Sequence, residues 1–210
     1  MKKHIILGIF SFIILVLAGC GTQTAKTTVP VGNPTEIKKV TPGTESGTCA
    51  ADTNCETGLK CITGKCSSGK VNSVCATYKD CSAGLYCIKS VCANPPSYSK
   101  YFNKLTVGKI RIGMPPGPTN ISVPTTEFNA ATDALKIDFI SKTGTEGELY
   151  YELIDSTTGE TALSSSNNKT KVNQGGGGIE FGLPMGTLRD FELNIYFNDE
   201  PIYAAVIKIK

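Results

Sequence analysis

Cysteine is the residue type whose number and spacing offer the most chemistry in this chain. Nine cysteines occur in 210 residues, one at Cys20 and eight between positions 49 and 92. A thiol can be acylated or can pair in a disulfide, and a thiolate can bind a metal ion. The eight form two sets of four, and each member of the second set lies 26 residues after its counterpart in the first: Cys49, Cys55, Cys61 and Cys66, then Cys75, Cys81, Cys87 and Cys92. The chain therefore contains an internal duplication.

Disulfides suit these eight cysteines better than zinc does. Zinc ligand pairs are usually about two to four residues apart, whereas the gaps within each set are five, five and four residues. Repeats this short cannot build a core, and a bridge that closes a dozen residues contributes about 3 kcal/mol. Spacing leaves several pairings open, of which we favour first to third and second to fourth: Cys49–Cys61, Cys55–Cys66, Cys75–Cys87 and Cys81–Cys92. We expect no metal and no cofactor.

Two motif fragments suggest catalysis only weakly. Ser97-Tyr98-Ser99-Lys100 matches S-x-x-K, and Lys142-Thr143-Gly144 matches K-T-G, both found in penicillin-binding enzymes. The first lies in a proline-rich segment rather than at the start of a helix, so we interpret both as chance matches.

Glycine-rich and acidic segments also favour plain interpretations. Gln174–Gly178 lacks the lysine that ends a phosphate-binding loop and predicts a flexible hairpin loop. The acidic cluster suits a solvated strand face better than a hydrolase or calcium site: Glu146, Glu148, Glu152 and Asp155. The only histidine is His4, in a segment that we expect to be removed. We therefore predict no catalytic residues and no enzymatic activity.

Aromatic residues in or next to the cysteine-rich region are better candidates for a functional surface. Tyrosine gives a large contact area at low entropic cost and is enriched in binding sites. The alternative is that these rings pack the second repeat against the rest of the chain. The predicted binding surface comprises Tyr78, Tyr86, Tyr98, Tyr101 and Phe102.

The N-terminus has the features of an export signal. Lys2 and Lys3 precede an apolar run from Ile5 to Gly19 of 15 residues, shorter than the roughly 20 needed to span a bilayer. The run ends in Leu17-Ala18-Gly19-Cys20 and resembles a bacterial lipoprotein signal peptide with its lipobox. The resemblance implies export, cleavage after residue 19 and lipid on Cys20. An uncleaved anchor is the alternative.

The residue that follows Cys20 indicates the membrane in which the lipid would be anchored. It is glycine rather than the aspartate that commonly retains Gram-negative lipoproteins in the inner membrane. The resemblance therefore implies an extracytoplasmic lipoprotein of the outer membrane or cell surface. The lipid on Cys20 would attach it to that membrane.

The mature chain has little net charge. Loss of Lys2 and Lys3 lowers the formal charge from +3 to +1, which argues against nucleic acid as a partner because phosphate binding needs a dense basic surface. Residues 20–47 are rich in Thr, Pro and Gly and predict a flexible linker that follows the lipidated cysteine.

Beyond the linker, each cysteine set defines a repeat, at 48–66 and 74–93. The string Cys75-Ala-Thr-Tyr-Lys-Asp80-Cys81-Ser-Ala-Gly84-Leu-Tyr86-Cys87 resembles the cysteine-rich repeat at the N-terminus of Dickkopf proteins, with Asn54 in place of the aspartate in the first repeat. The resemblance implies an extracellular, disulfide-rich, non-catalytic binding or spacer module. We expect Gly58 and Gly84 to supply tight turns.

The remaining chain predicts strands. After a linker at 94–104, residues 105–210 contain apolar residues in alternation, as in Leu135-Lys-Ile-Asp-Phe139 and Phe191-Glu-Leu-Asn-Ile195, separated by turn residues. About seven short strands favour an antiparallel β-sandwich over a small barrel. Gly186–Tyr196 resembles the penultimate strand of immunoglobulin-like and fibronectin type III-like domains, with Phe191 where many have tyrosine.

These observations predict a mainly β, lipid-anchored extracytoplasmic protein. We expect it to bind a protein or glycan outside the cell, through the repeats and the sandwich, without catalysis. Two alternatives remain: a protease inhibitor presented by the disulfide-rich repeats, and a structural spacer of the envelope.

Overall fold

The computed structural model describes residues 41–112, 122–184 and 188–210. The predicted signal peptide at 1–19, the lipidation site Cys20 and most of the linker at 20–47 lie outside this range. Within it, no helix has the length and hydropathy needed to cross a bilayer. All described residues belong to one compact unit.

The described residues are mainly β. Helical structure is limited to single 3₁₀ turns at Asp52–Asn54, Tyr78–Asp80 and Tyr98–Lys100. The strands are β1 (Lys60–Ile62), β2 (Lys65–Ser67), β3 (Tyr86–Ile88), β4 (Val91–Ala93), β5 (Phe102–Arg111), β6 (Val123–Pro124), β7 (Glu127–Phe128), β8 (Asp133–Ser141), β9 (Gly147–Asp155), β10 (Thr161–Ser164), β11 (Thr170–Val172), β12 (Gly176–Gly182), β13 (Asp190–Phe197) and β14 (Glu200–Ile209).

Each cysteine repeat is one small hairpin with two disulfides, β1–β2 in the first and β3–β4 in the second. The bridges join first to third and second to fourth cysteines in both repeats: Cys49–Cys61, Cys55–Cys66, Cys75–Cys87 and Cys81–Cys92. Gly58 and Gly84 have φ of 91° and 86°, in the left-handed region that glycine adopts without strain. The expectation of tight turns at these two positions is confirmed.

The duplicated residue before the second cysteine has the same role in both repeats. Asn54 Oδ1 accepts hydrogen bonds from the amides of residues 50 and 51, each at 3.1 Å. Asp80 Oδ2 accepts from the amides of residues 76 and 77, each at 2.9 Å. Both side chains offer a short oxygen acceptor at this point, so the exchange of aspartate for asparagine leaves the turn unchanged.

Part of the predicted linker is built into the first repeat. The amide of Gly43 donates to Asn54 O at 2.7 Å, and that of Ser46 donates to Cys66 O at 2.8 Å. Residues 41–47 are therefore attached to the first repeat, because their backbone groups complete its hydrogen bonding. The interpretation of this stretch as flexible linker is corrected for these residues.

Strands β5–β14 form the predicted antiparallel β-sandwich. One sheet has the order β10-β9-β13-β14-β7, with β11 also on β9, and the other has the order β12-β8-β5-β6. All pairs are antiparallel except β14 with β7. The inward residues of both sheets meet in one core, which includes Leu105, Val107, Leu135, Ile137, Leu153, Leu193, Ile195 and Ile207.

Two boundaries differ from the expectations. Strand β5 begins at Phe102, so the sandwich starts three residues before position 105. Strand β12 begins at Gly176, where a loop was predicted, because Gly176–Gly178 pair with Ile140, Phe139 and Asp138 of β8. Glycine is depleted in β-strands. The strand conformation of Gly176–Gly178 therefore depends on pairing with β8 rather than on local sequence.

Candidate functional site

The second repeat packs against the sandwich on one sheet face. We call this the outer face; it is formed by the residues of β9, β13 and β14 that point away from the core, including Tyr150, Glu152, Ile154, Glu192, Asn194, Tyr196, Ala204 and Val206. Ile88 at the end of β3 is buried in a cluster with Tyr150, Tyr196 and Ala204, and Tyr86 and Ala93 pack at its margin. The rings of Tyr150 and Tyr196 stack, with centroids 4.7 Å apart and planes 13° apart.

Polar contacts fix the orientation of the second repeat on the outer face. Tyr78 Oη donates to Asp190 Oδ2 at 3.3 Å, and Lys89 Nζ donates to the carbonyl oxygen of Asp199 at 2.7 Å. From the sheet side, Asn194 Nδ2 donates to the carbonyl oxygen of Cys87 at 3.4 Å. We call this contact region between the second repeat and the outer face the seam.

The tyrosines of the seam are kept in the phenol form. Burial, with smaller contributions from nearby Asp199 and Glu152, raises the pKa of Tyr150 to about 12. Burial raises the pKa of Tyr196 still further. Burial also raises the pKa of Tyr78, and the Asp190 carboxylate adds to this rise. These rings therefore act as neutral contact surfaces and hydrogen-bond donors.

A cleft of about 440 Å³ opens where the second repeat meets β14. Two tyrosine rings and the Val206 side chain give it apolar walls, and Lys79 supplies an ammonium group. The residues that line it are Tyr78, Lys79, Cys81, Ser82, Ala83, Gly84, Leu85, Tyr86 and Val206. Aromatic side chains of this kind are enriched at protein binding surfaces.

The structure separates the five predicted surface residues. Tyr78 and Tyr86 line the cleft, whereas Tyr98 and Tyr101 pack at the edge of the sandwich core. The Tyr101 ring lies 4.8 Å from that of Phe197. Phe102 is 1% exposed and belongs to the core. Its inclusion in the surface was wrong, because β5 begins at this residue and turns its side chain inward.

The eight cysteine sulfurs of the two repeats are all in disulfides. Two groups of three sulfurs lie within 4.8 Å of one another, those of Cys49, Cys55 and Cys66 and those of Cys75, Cys81 and Cys92. Each of these six atoms is part of a disulfide. A disulfide sulfur is not a thiolate ligand, so this proximity results from the compact bridges.

The S-x-x-K fragment serves local structure. Ser97 Oγ accepts from the amide of Ser99 at 3.3 Å and thereby caps the 3₁₀ turn. Lys100 Nζ lies 2.7 Å from Glu200 Oε2. The lysine of the S-x-x-K match is thus in an exposed ion pair and not beside the Ser97 hydroxyl.

One member of the acidic cluster is structural. Asp155 is buried and accepts from the amide of Thr157 at 2.7 Å and from the Arg189 guanidinium. Burial alone would raise the pKa of Asp155, but the amides of Thr157 and Thr158 and the Arg189 charge outweigh it and hold the pKa below its usual value. Asp155 is therefore an ionised anchor of the β9 end.

Sequence reasoning missed the residues that lie under the second repeat. The alternation in β13 correctly turns Glu192 and Asn194 away from the core, and such residues are ordinarily solvated. The second repeat covers them instead, leaving Glu192 fully buried and Asn194 1% exposed. Two signals were available. Ile88 is an apolar residue in a repeat too small to bury it, and the alternative that aromatic rings pack the second repeat against the rest of the chain is supported by the contacts of Tyr78 and Tyr86.

No family model matches the chain, and no curated protein matches it. Among solved structures, the chain is similar to an immunoglobulin-like protein from Pseudomonas aeruginosa. The two are 11% identical, the match covers 52% of this chain and 94% of that one, and the TM-score is 0.34. A likeness of this size does not establish a shared function.

Proposed function

We propose that this chain is a non-catalytic binding protein that works outside the cytosol, held to a membrane by lipid on Cys20, and that the cleft binds an extracytoplasmic protein or glycan. The observation that carries the proposal is the position of Tyr78 and Tyr86, which line an open cleft while their neighbours fix them in place. The Dickkopf-like repeats then act as the binding module.

The two rings are held before any ligand arrives. Tyr78 is tied to Asp190 on the sheet, and Tyr86 packs against the cluster around Ile88. The disulfide Cys75–Cys87 fixes the backbone next to Tyr86. Side chains ordered in advance lose little entropy on association, so more of the contact energy contributes to affinity.

The walls of the cleft suit a partner with both apolar and polar groups. Leu85 and Val206 provide apolar contact, and the tyrosine rings can stack on a flat surface such as a sugar ring or a proline. Lys79 is exposed and attracts an acidic group on the partner. The chain would not need a cofactor for such binding.

The sulfur chemistry supports the proposed compartment. Four disulfides in a chain of this size are typical of the oxidising space outside the cytosol. The lipobox-like string ending at Cys20 supports export and anchoring to the same side of a membrane, with two or more acyl chains giving a stable attachment.

Site-specific photocrosslinking on intact cells tests the cleft. A benzophenone side chain replaces Lys79 in the full chain, and the control places it at Thr53, the equivalent position in the first repeat, 26 residues earlier. We expect a discrete adduct from position 79 and none of that mass from position 53. Equal adducts from both positions, or none from either, would contradict the proposal, and the second outcome would favour the spacer alternative.

A blocking variant makes the test specific. Ala83 lines the cleft and is exposed, so Ala83→Arg should fill the cleft without disturbing the core and remove the adduct at position 79. Thr57→Arg makes the same change at the equivalent exposed position of the first repeat and should leave the adduct intact. An adduct that survives Ala83→Arg would place the contact elsewhere.

A further inference from the structure

A buried acid without a compensating charge lies at the centre of the seam. Glu192 has 0% of its surface exposed. Among the described residues, no hydrogen bond of ordinary geometry reaches either oxygen of its carboxyl group, although the backbone of Cys87 and Tyr78 and the Asn194 side chain lie close enough to favour its ionised form, and Asn194 Oδ1 has no hydrogen-bond partner. Buried polar atoms are nearly always hydrogen-bonded, so two neighbouring groups left in this way require an explanation.

The groups that face Glu192 come from three strands and the second repeat. Beside it in the sheet are Ile154 of β9 and Val206 of β14, which are apolar. Above it lie the backbone of Cys87 and of Tyr78. The titratable and charged groups that these elements place at the seam come from the repeat, β13, β9 and β14: Tyr78, Lys79, Tyr86 and Lys89, then Asp190 and Tyr196, then Tyr150 and Glu152, and finally Lys208, which lies opposite Asp190 in the strand register.

None of the influences on the Glu192 carboxyl is a cation. Burial raises its pKa to about 7, and the backbone of Cys87 and Tyr78 and the Asn194 side chain oppose this rise only in part. A carboxylate buried without a cation is strongly disfavoured and takes up a proton instead. The protonated acid gains an O–H donor, and the neighbouring Asn194 Oδ1 is an acceptor that lacks one.

We infer that the seam is a proton-controlled latch: protonated Glu192 lets the second repeat close over the outer face, and ionised Glu192 loosens it. The proton is exchanged with solvent when the seam opens, and no covalent bond changes. Because the repeat is stapled internally and the sandwich has its own core, opening separates two parts that each stay folded.

The direction of the pH effect follows from linkage. The closed state holds Glu192 with a pKa of about 7, against an ordinary value of 4.5 in solvent. The closed state thus binds the proton more tightly, so its advantage is complete below pH 4.5 and is lost as the pH rises to about 7. The equilibrium constant for opening should increase roughly 70-fold between pH 5 and pH 8. Histidine, which ordinarily titrates in this range, occurs only at position 4.

Opening would also remove the cleft, because Val206 and the second repeat form its opposite walls. If the proposed function holds, binding at the cleft is therefore weaker at alkaline pH. This consequence rests on the proposed function, whereas the latch itself does not.

Hydroxyl-radical footprinting of the full chain measures the latch. Tyr196 is 1% exposed because the second repeat covers it, so its oxidation reports opening, while the core residue Tyr151 reports unfolding of the sandwich. We expect oxidation of Tyr196 to rise steeply from pH 5 to pH 8 while that of Tyr151 stays constant. Equal oxidation of Tyr196 at both pH values, or a parallel rise at Tyr151, would overturn the inference.

Two variants identify the group responsible. Glu192→Gln keeps the shape without the titration and should hold Tyr196 protected at both pH values. Glu180→Gln alters an exposed acid on β12 of the other sheet and should keep the pH dependence of the original chain. If the rise in Tyr196 oxidation persists in Glu192→Gln, another group controls the seam and the inference is overturned.

Carbon-13 NMR titration of the Glu192 carboxyl in the unaltered chain gives an independent result. An ordinary pKa near 4.5 would overturn the inference without any variant.

Discussion

At the scale of single residues, the duplication shows why only one repeat docks on the sandwich. The second repeat presents Tyr78, Tyr86 and Ile88 to the outer face. The residues 26 positions earlier are Asp52, Lys60 and Ile62. Two aromatic contacts are thus replaced by charged groups in the first repeat, and both Asp52 and Lys60 are exposed. Of the three positions, only the two with these replacements distinguish the docking repeat from the solvated one on the same disulfide framework.

Truncation of the two equivalent isoleucines tests this difference. Ile88→Ala removes a buried side chain from the cluster with Tyr150 and Tyr196 and should lower the free energy of unfolding by about 2–5 kcal/mol. Ile62→Ala removes the half-buried counterpart and should lower it much less. Urea unfolding at pH 5, where the seam is closed, measures both values; equal losses would show that Ile88 gains nothing from the sandwich.

The residue scale also marks how far the sequence could predict the site. Tyr78 and Tyr86 were predicted as surface residues because a stapled repeat has little interior, and they line the cleft. Glu192 was not predicted, because alternation reports which side of a strand a residue faces and carries no information about what covers that side. The backbone of Cys87, which lies 105 positions away in the chain, packs over Glu192. No local sequence pattern encodes a contact over that distance.

At the scale of elements, β12 shows how a strand can form where the sequence predicts a loop. Its glycine half pairs with β8 along the edge of the four-stranded sheet. A Cβ on Gly177 would lie 2.6 Å from the Phe139 ring, so close approach to that core ring requires glycine here. The alternating strands β8 and β13 were predicted correctly, because their apolar residues recur at every second position and so mark the buried face. β12 depends on its neighbour instead.

Alanine substitutions at adjacent glycines of β12 test this requirement. Gly177→Ala should lower the free energy of unfolding by about 1–3 kcal/mol, since overpacking displaces the Phe139 ring. Gly176→Ala places its Cβ 3.5 Å from the Phe139 carbonyl oxygen, an ordinary contact, and should leave stability unchanged or slightly higher. Thermal unfolding of the two variants under identical conditions measures the contrast. A Gly177→Ala protein as stable as Gly176→Ala would show that the core has room at Phe139.

At the scale of the whole molecule, the sandwich and the repeats are stabilised in different ways. The sandwich is held by the inward residues of two sheets, whereas the repeats are held by four bridges and, for the second repeat, by the outer face. The cleft exists only because both parts are present and joined. A chain whose cysteines were reduced would keep the sandwich and lose the surface that we assign to binding.

Peptide mapping of the native chain without reduction tests the central claim, that a disulfide-stapled module is presented outside the cytosol. The chain is isolated from its own membranes, alkylated, digested and analysed by mass spectrometry. We predict four linked peptide pairs, Cys49–Cys61, Cys55–Cys66, Cys75–Cys87 and Cys81–Cys92, and an acylated N-terminal peptide that begins at Cys20. Eight alkylated cysteines, or a bound metal in stoichiometric amount, would contradict the account of the compartment, the repeats and the cleft together.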